Sequence, residues 1–76
     1  MKEKFINLFA ETLELDSPAG LTTETVFRGL DEWDSLAFLS LIAMIDEEYD
    51  VVIEGNDFQK LITIGDVINK IEEMKS

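Results

Sequence analysis

The chain has 76 residues, 46% of them hydrophobic, with no Cys, no His and a formal net charge of −11. That length suits a single domain spanning residues 1–76, and the missing Cys and His exclude disulfides and the usual metal ligands. Seventeen acids against six bases exclude nucleic acid and anionic membrane surfaces as partners, since both need Lys or Arg against phosphate. The imbalance favours protein partners with basic patches, met by steered encounter; the plainer alternative is that acidity only confers solubility. No basic n-region followed by an apolar h-region opens the chain, so a cytoplasmic protein is expected, and a monomer.

From Lys2 to about Leu15, Phe5, Ile6, Leu8, Phe9, Thr12 and Leu13 recur at helical spacing, with Glu3, Lys4, Asn7, Glu11 and Glu14 opposite them. This pattern predicts an amphipathic helix, ended by Asp16-Ser17-Pro18-Ala19-Gly20 because Pro18 disfavours helix at Ser17. Leu21 to Trp33 keeps no period. It reads as a long loop pinned by Leu21, Val26, Phe27, Leu30 and Trp33, with Thr22 able to cap a short turn. Loops of such length are uncommon and often functional.

The next stretch organises the rest. Leu36 to Ile45 contains no Gly, Pro or charge and then breaks into Asp46-Glu47-Glu48-Tyr49-Asp50. The uncharged run is half of the roughly 20 residues a membrane span needs, so no span is expected. It reads instead as a helix that is apolar nearly all round and therefore largely enclosed. Asp34 and Ser35 can both cap its first turn, and Asp34 places a negative charge at the positive end of the helix dipole. At about 100° per residue, Phe38, Ile42, Ile45 and Tyr49 form the expected core stripe. Ala37, Ser40, Met44, Glu47 and Glu48 then point away, with Leu36 to one side, as a candidate partner-binding face.

Val51-Val52-Ile53 reads as an extended connection burying Ile53. Asn56 or Asp57 is expected to cap a short helical turn holding Phe58, Leu61 and Ile62. Phe38, Leu39 and Ile42 should face that segment and leave only a small pocket. Thr63-Ile64-Gly65-Asp66 has the form of a capping box with Asp in place of Glu. Ile64, Val67, Ile68, Ile71 and Met74 then define a last amphipathic helix. The expected fold class is all-α: a small four-helix bundle of three main helices and one short one, with a long loop between the first and second.

Catalysis is disfavoured. Ser35 is the only tempting nucleophile, but there is no His, and neither Lys nor Arg occurs between Gly29 and Gln59; a serine without a positioned base is a poor nucleophile. A calcium loop over Asp46 to Asp57 fails because Val51 stands at the required Gly and Asp57 at the bidentate Glu. No metal site is expected.

Asp34-Ser35-Leu36, Glu47-Glu48-Tyr49, Ile53 and Ile62-Thr63-Ile64, taken with the order of helices, give the chain its resemblance. It resembles the acyl carrier proteins, of the free-standing bacterial type, over essentially its whole length. The resemblance implies that Ser35 is esterified with 4′-phosphopantetheine by a phosphopantetheinyl transferase, with Asp34 and Leu36 flanking the attachment site. It also implies a carrier that presents acyl groups as thioesters to loading and transferring enzymes, not an enzyme itself. Fatty-acid-synthesis carriers usually have a small residue before Asp-Ser-Leu and acids two and five positions after the serine; here Trp33, Ala37 and Ser40 stand there. A specialised biosynthetic pathway is therefore expected, with an unmodified acidic helical module binding a basic protein as the alternative.

Overall fold

The computed structural model describes residues 2–75. Four α-helices occur among them: α1 (Lys2–Thr12), α2 (Ser35–Tyr49), α3 (Gly55–Phe58) and α4 (Ile64–Lys75). No strand accompanies them, only an isolated antiparallel bridge between Val26 and Thr63. The all-α expectation holds.

Helix α1 buries Phe5, Phe9 and Ala10, and Leu13 continues the same stripe into the core. It stops before the expected Leu15, without needing Pro18. Glu14 adopts a left-handed conformation (φ 58°), its N–H donates to Glu11 O at 3.1 Å, and the Leu15 N–H reaches back to Ala10 O at 2.8 Å. These two bonds satisfy carbonyls that the helix end leaves open, and Leu15 folds back against the core.

The long loop is tied down at both ends of its middle section. Thr22 caps a turn, but one that closes at Thr25: the Glu24 N–H donates to Thr22 Oγ1 at 3.1 Å and the Thr25 N–H to Thr22 O at 3.1 Å. A 3-10 turn follows at Phe27–Gly29. Phe27 is fully buried, whereas Val26, expected as an anchor, is half exposed because its backbone is what pairs with Thr63. The loop also takes two N–H groups from the start of α4, Ile64 to Thr25 O at 3.0 Å and Gly65 to Thr23 O at 2.8 Å. A side chain at Gly65 would put its Cβ 2.8 Å from that Thr23 oxygen, so only glycine admits the approach.

The core stripe of α2 is Ala37, Leu41, Ile45 and Tyr49, not Phe38, Ile42, Ile45 and Tyr49. At 100° per residue the helix is turned by about 50° from the expected setting. Ala37 therefore leaves the proposed partner face and enters the core. Leu39, expected against α3, is 61% exposed, and Phe38 and Ile42 become half-buried flanks. Ile62 is also exposed, 54%. Among the expected contacts to α3, the Phe38–Phe58 pair survives, edge to face at 5.2 Å.

After α2 the chain turns at Asp50, left-handed at φ 58°, and runs extended with Val51 and Ile53 buried and Val52 exposed. Glu54, not Asn56 or Asp57, is the residue before α3, and it makes no side-chain cap. Arg28 serves the other end of this short helix. Its Nη2 donates to Phe58 O at 2.9 Å and its Nη1 to Leu61 O, a fork that ties the end of α3 and the turn after it to the loop.

The capping box of α4 forms as expected. The Asp66 N–H donates to Thr63 Oγ1 at 3.1 Å, and Asp66 Oδ2 accepts from Thr63 N–H at 3.1 Å and Ile62 N–H at 3.0 Å. Ile64, Val67, Ile68 and Ile71 are buried; Met74 is largely exposed. Lys75 Nζ donates to Tyr49 O at 2.8 Å, which ties the ends of α2 and α4 together.

Candidate functional site

The site is built where the loop delivers the chain to α2. Trp33 donates its N–H to Leu30 O at 3.0 Å, and its ring is held by two others. It meets Phe27 edge-on at 4.9 Å and stacks on Phe58 at 6.2 Å with planes 5° apart. Asp34 follows in an extended conformation (φ −152°, ψ −173°), and its Oδ1 accepts the Ala37 N–H at 2.8 Å. Of the two residues able to cap α2, Asp34 does so. Ser35 is consequently the first helical residue, exposed, with its hydroxyl not spent on the cap.

Among the described residues neither the Ser35 nor the Leu36 N–H has a protein acceptor. Two exposed donors at the positive end of a 15-residue helix favour an anion at this point. A phosphate ester on Ser35 fits that environment, and nothing packs over the hydroxyl to obstruct a modifying enzyme.

Two depressions border the start of α2. One, of about 360 Å³, is lined by Arg28, Trp33, Asp34, Ser35, Phe38 and Gln59. The other, of about 180 Å³, lies on the α1 side and includes Glu14, Glu32, Asp34, Leu36 and Ser40 in its wall. The candidate face on α2 is only partly assembled. Leu36 is 71% exposed, Glu47 and Glu48 are exposed and Ser40 half exposed. Met44 is half-buried against the core, and Ala37 is buried at 7% exposure. Leu39 is the exposed apolar residue that the helical pattern missed; an uncharged run gives no polar landmark for its outward side.

The sequence that builds this site is similar to sequences of known proteins. The family described as "Phosphopantetheine attachment site" matches residues 3–71. The chain belongs to that family. It is 36% identical over 66 residues to an acyl carrier protein of Campylobacter jejuni subsp. doylei, covering 87% of this chain and 84% of that protein. Acyl carrier proteins from two C. jejuni subsp. jejuni strains are 35% identical over 65 residues, 86% of this chain and 83% of theirs.

Family membership makes the chain a carrier domain whose prosthetic group is 4′-phosphopantetheine, and not an enzyme. When bound, the arm supplies the terminal thiol that a chain without Cys lacks, and acyl groups are carried on it. No helix among the described residues is long and apolar enough to cross a membrane.

Proposed function

We propose that Ser35 is the residue that carries the arm, and that the protein serves a specialised biosynthetic pathway rather than housekeeping fatty acid synthesis. One observation carries the first half: Asp34 takes over the capping of α2 and leaves the Ser35 hydroxyl exposed at a helix start that favours phosphate. In the attachment reaction Ser35 Oγ forms the new phosphodiester bond to the phosphopantetheine phosphorus. Its proton passes to a base of the transferase, and the bond to the nucleotide part of coenzyme A breaks.

The second half is supported by the front of α2. Ala37 is a core residue, so an acid there would be desolvated and costly. With Ser40 also uncharged, enzymes that read acids at these positions find none. A dedicated enzyme set would instead meet Leu36 and Leu39 beside Glu47 and Glu48, a shallow apolar seat with acids further along. Surface-polysaccharide or secondary-metabolite assembly are pathways of the right kind.

Co-expression with a broad-specificity phosphopantetheinyl transferase, scored by intact mass, tests the attachment site. Wild type should gain the mass of the arm and Ser35→Ala should not, while both keep the same helical circular dichroism. Because Ser35 is not the cap, the substitution should cost less than the roughly 0.5–2 kcal/mol of a lost cap. Labelling that survives in Ser35→Ala would remove Ser35 from this role.

A further inference from the structure

The two depressions at the start of α2 share Asp34 and differ in the rest of their charge. The smaller is walled by Glu14, Glu32 and Asp34. The larger has Ser35 in its own lining with Arg28, Trp33, Asp34, Phe38 and Gln59 around it, one base against one acid. Arg28 is the only basic residue between Lys4 and Lys60, and its bonds to Phe58 O and Leu61 O hold it in place. Those bonds leave its charge unneutralised and further guanidinium donors free. Behind the depression the rings of Trp33 and Phe38 both rest on Phe58. Phe58 in turn meets Phe27 edge-on at 5.6 Å, and both are fully buried. That aromatic wall separates the depression from the core.

Resting on the assignment of Ser35 as the attachment residue, we propose that this depression seats the phosphopantetheine arm against the protein and that the aromatic wall keeps the carried group outside the bundle. The arm begins at an atom of the depression's own lining, so its first part has the shortest path into it. Its phosphodiester is anionic, which favours the Arg28 side and disfavours the Glu14 and Glu32 side. The dimethyl-substituted carbon beyond the phosphate gives the rings of Trp33 and Phe38 an apolar group to cover. Its amides find in Gln59 a side chain that both donates and accepts. With the arm so placed and the wall closed, an acyl group has no route between α2 and α3. Short or polar groups suit that position, since a long alkyl chain would stay in water.

Trp33 is the sole tryptophan, so its fluorescence reports on the seat without any partner enzyme. Apo protein is converted with coenzyme A and a broad-specificity transferase, and intact mass scores the conversion. Conversion should shift Trp33 emission to the blue and reduce quenching by iodide severalfold. Gln59→Glu, an exposed position, adds a second carboxylate to the lining that receives the anionic arm and removes the amide donor; it should still gain the full mass yet lose the reduction in quenching. Identical emission and quenching before and after complete conversion of wild type would overturn the seat. Failure to gain mass, or gain that persists in Ser35→Ala, would instead overturn the attachment assignment and the seat with it. For the carried group, acetyl- and palmitoyl-loaded protein should react with hydroxylamine at comparable rates. A large slowing for palmitoyl would mean that the chain enters the bundle, contrary to the closed wall.

Discussion

Tyr49 is 8% exposed and its hydroxyl, among the described residues, has no hydrogen-bond partner. Its ring is well placed, 6.2 Å from Phe5 with Lys4 Nζ 5.6 Å from its centroid, so the cost lies in the oxygen alone. Burial, with a smaller effect from Glu48, pushes its pKa above 10.0. The neutral form is therefore favoured in the fold, and that part of stability is present below pH 10.0 and lost as pH rises through the folded value. Tyr49→Phe removes the unsatisfied group and keeps the ring. It should leave the protein as stable or up to about 1 kcal/mol more stable and flatten the loss of stability in alkali, as urea denaturation at neutral and high pH would record. A clear destabilisation would mean that the hydroxyl is bonded in solution.

Helix α4 is held at its first turn by a capping box. Asp66 accepts from the Thr63 and Ile62 N–H groups, and these two bonds hold its carboxyl below the ordinary value of 3.8. The folded state thus binds this proton more weakly than the unfolded chain. The stabilisation is complete above pH 3.8 and disappears as pH falls through the depressed value. Asp66→Ala should cost about 0.5–2 kcal/mol at neutral pH, and the gap to wild type should close in strong acid. Denaturant midpoints at pH 7 and pH 2.5 would measure both. A gap unchanged in acid would show that the carboxylate charge contributes nothing to the cap.

For the molecule as a whole, charge sets the conditions of stability. A net charge of −11 on 76 residues repels itself, and Lys70 meets Glu73 only at 4.0 Å. Surface pairs of that kind contribute little. The melting temperature should rise with salt from very low to physiological ionic strength, as the screening length shrinks. It should also rise as pH moves down from 7 towards the pI of about 4.1, before the loss of the Asp66 cap reverses the trend. A melting temperature flat in salt would mean that the acids are locally compensated.

Local chemistry alone determined the helices, the capping box at Thr63 and Asp66, and the start of α2 at Asp34-Ser35-Leu36, because caps and amphipathic periods act over a few neighbouring residues. It could not choose between Asp34 and Ser35 as the cap, nor stop α1 at Thr12, where a left-handed glutamate rather than a proline ends the helix. Only tertiary structure decided the rotation of α2. From Leu36 to Ile45 every side is uncharged, so periodicity had no polar face to orient against, and the packing of α1 drew Ala37 and Leu41 inward while leaving Leu39 in water. The depression beside Ser35 was equally beyond local reading. It joins Arg28 from the loop, Trp33 and Phe38 at the start of α2, and Gln59 after α3, residues brought together by rings stacked across three separate segments.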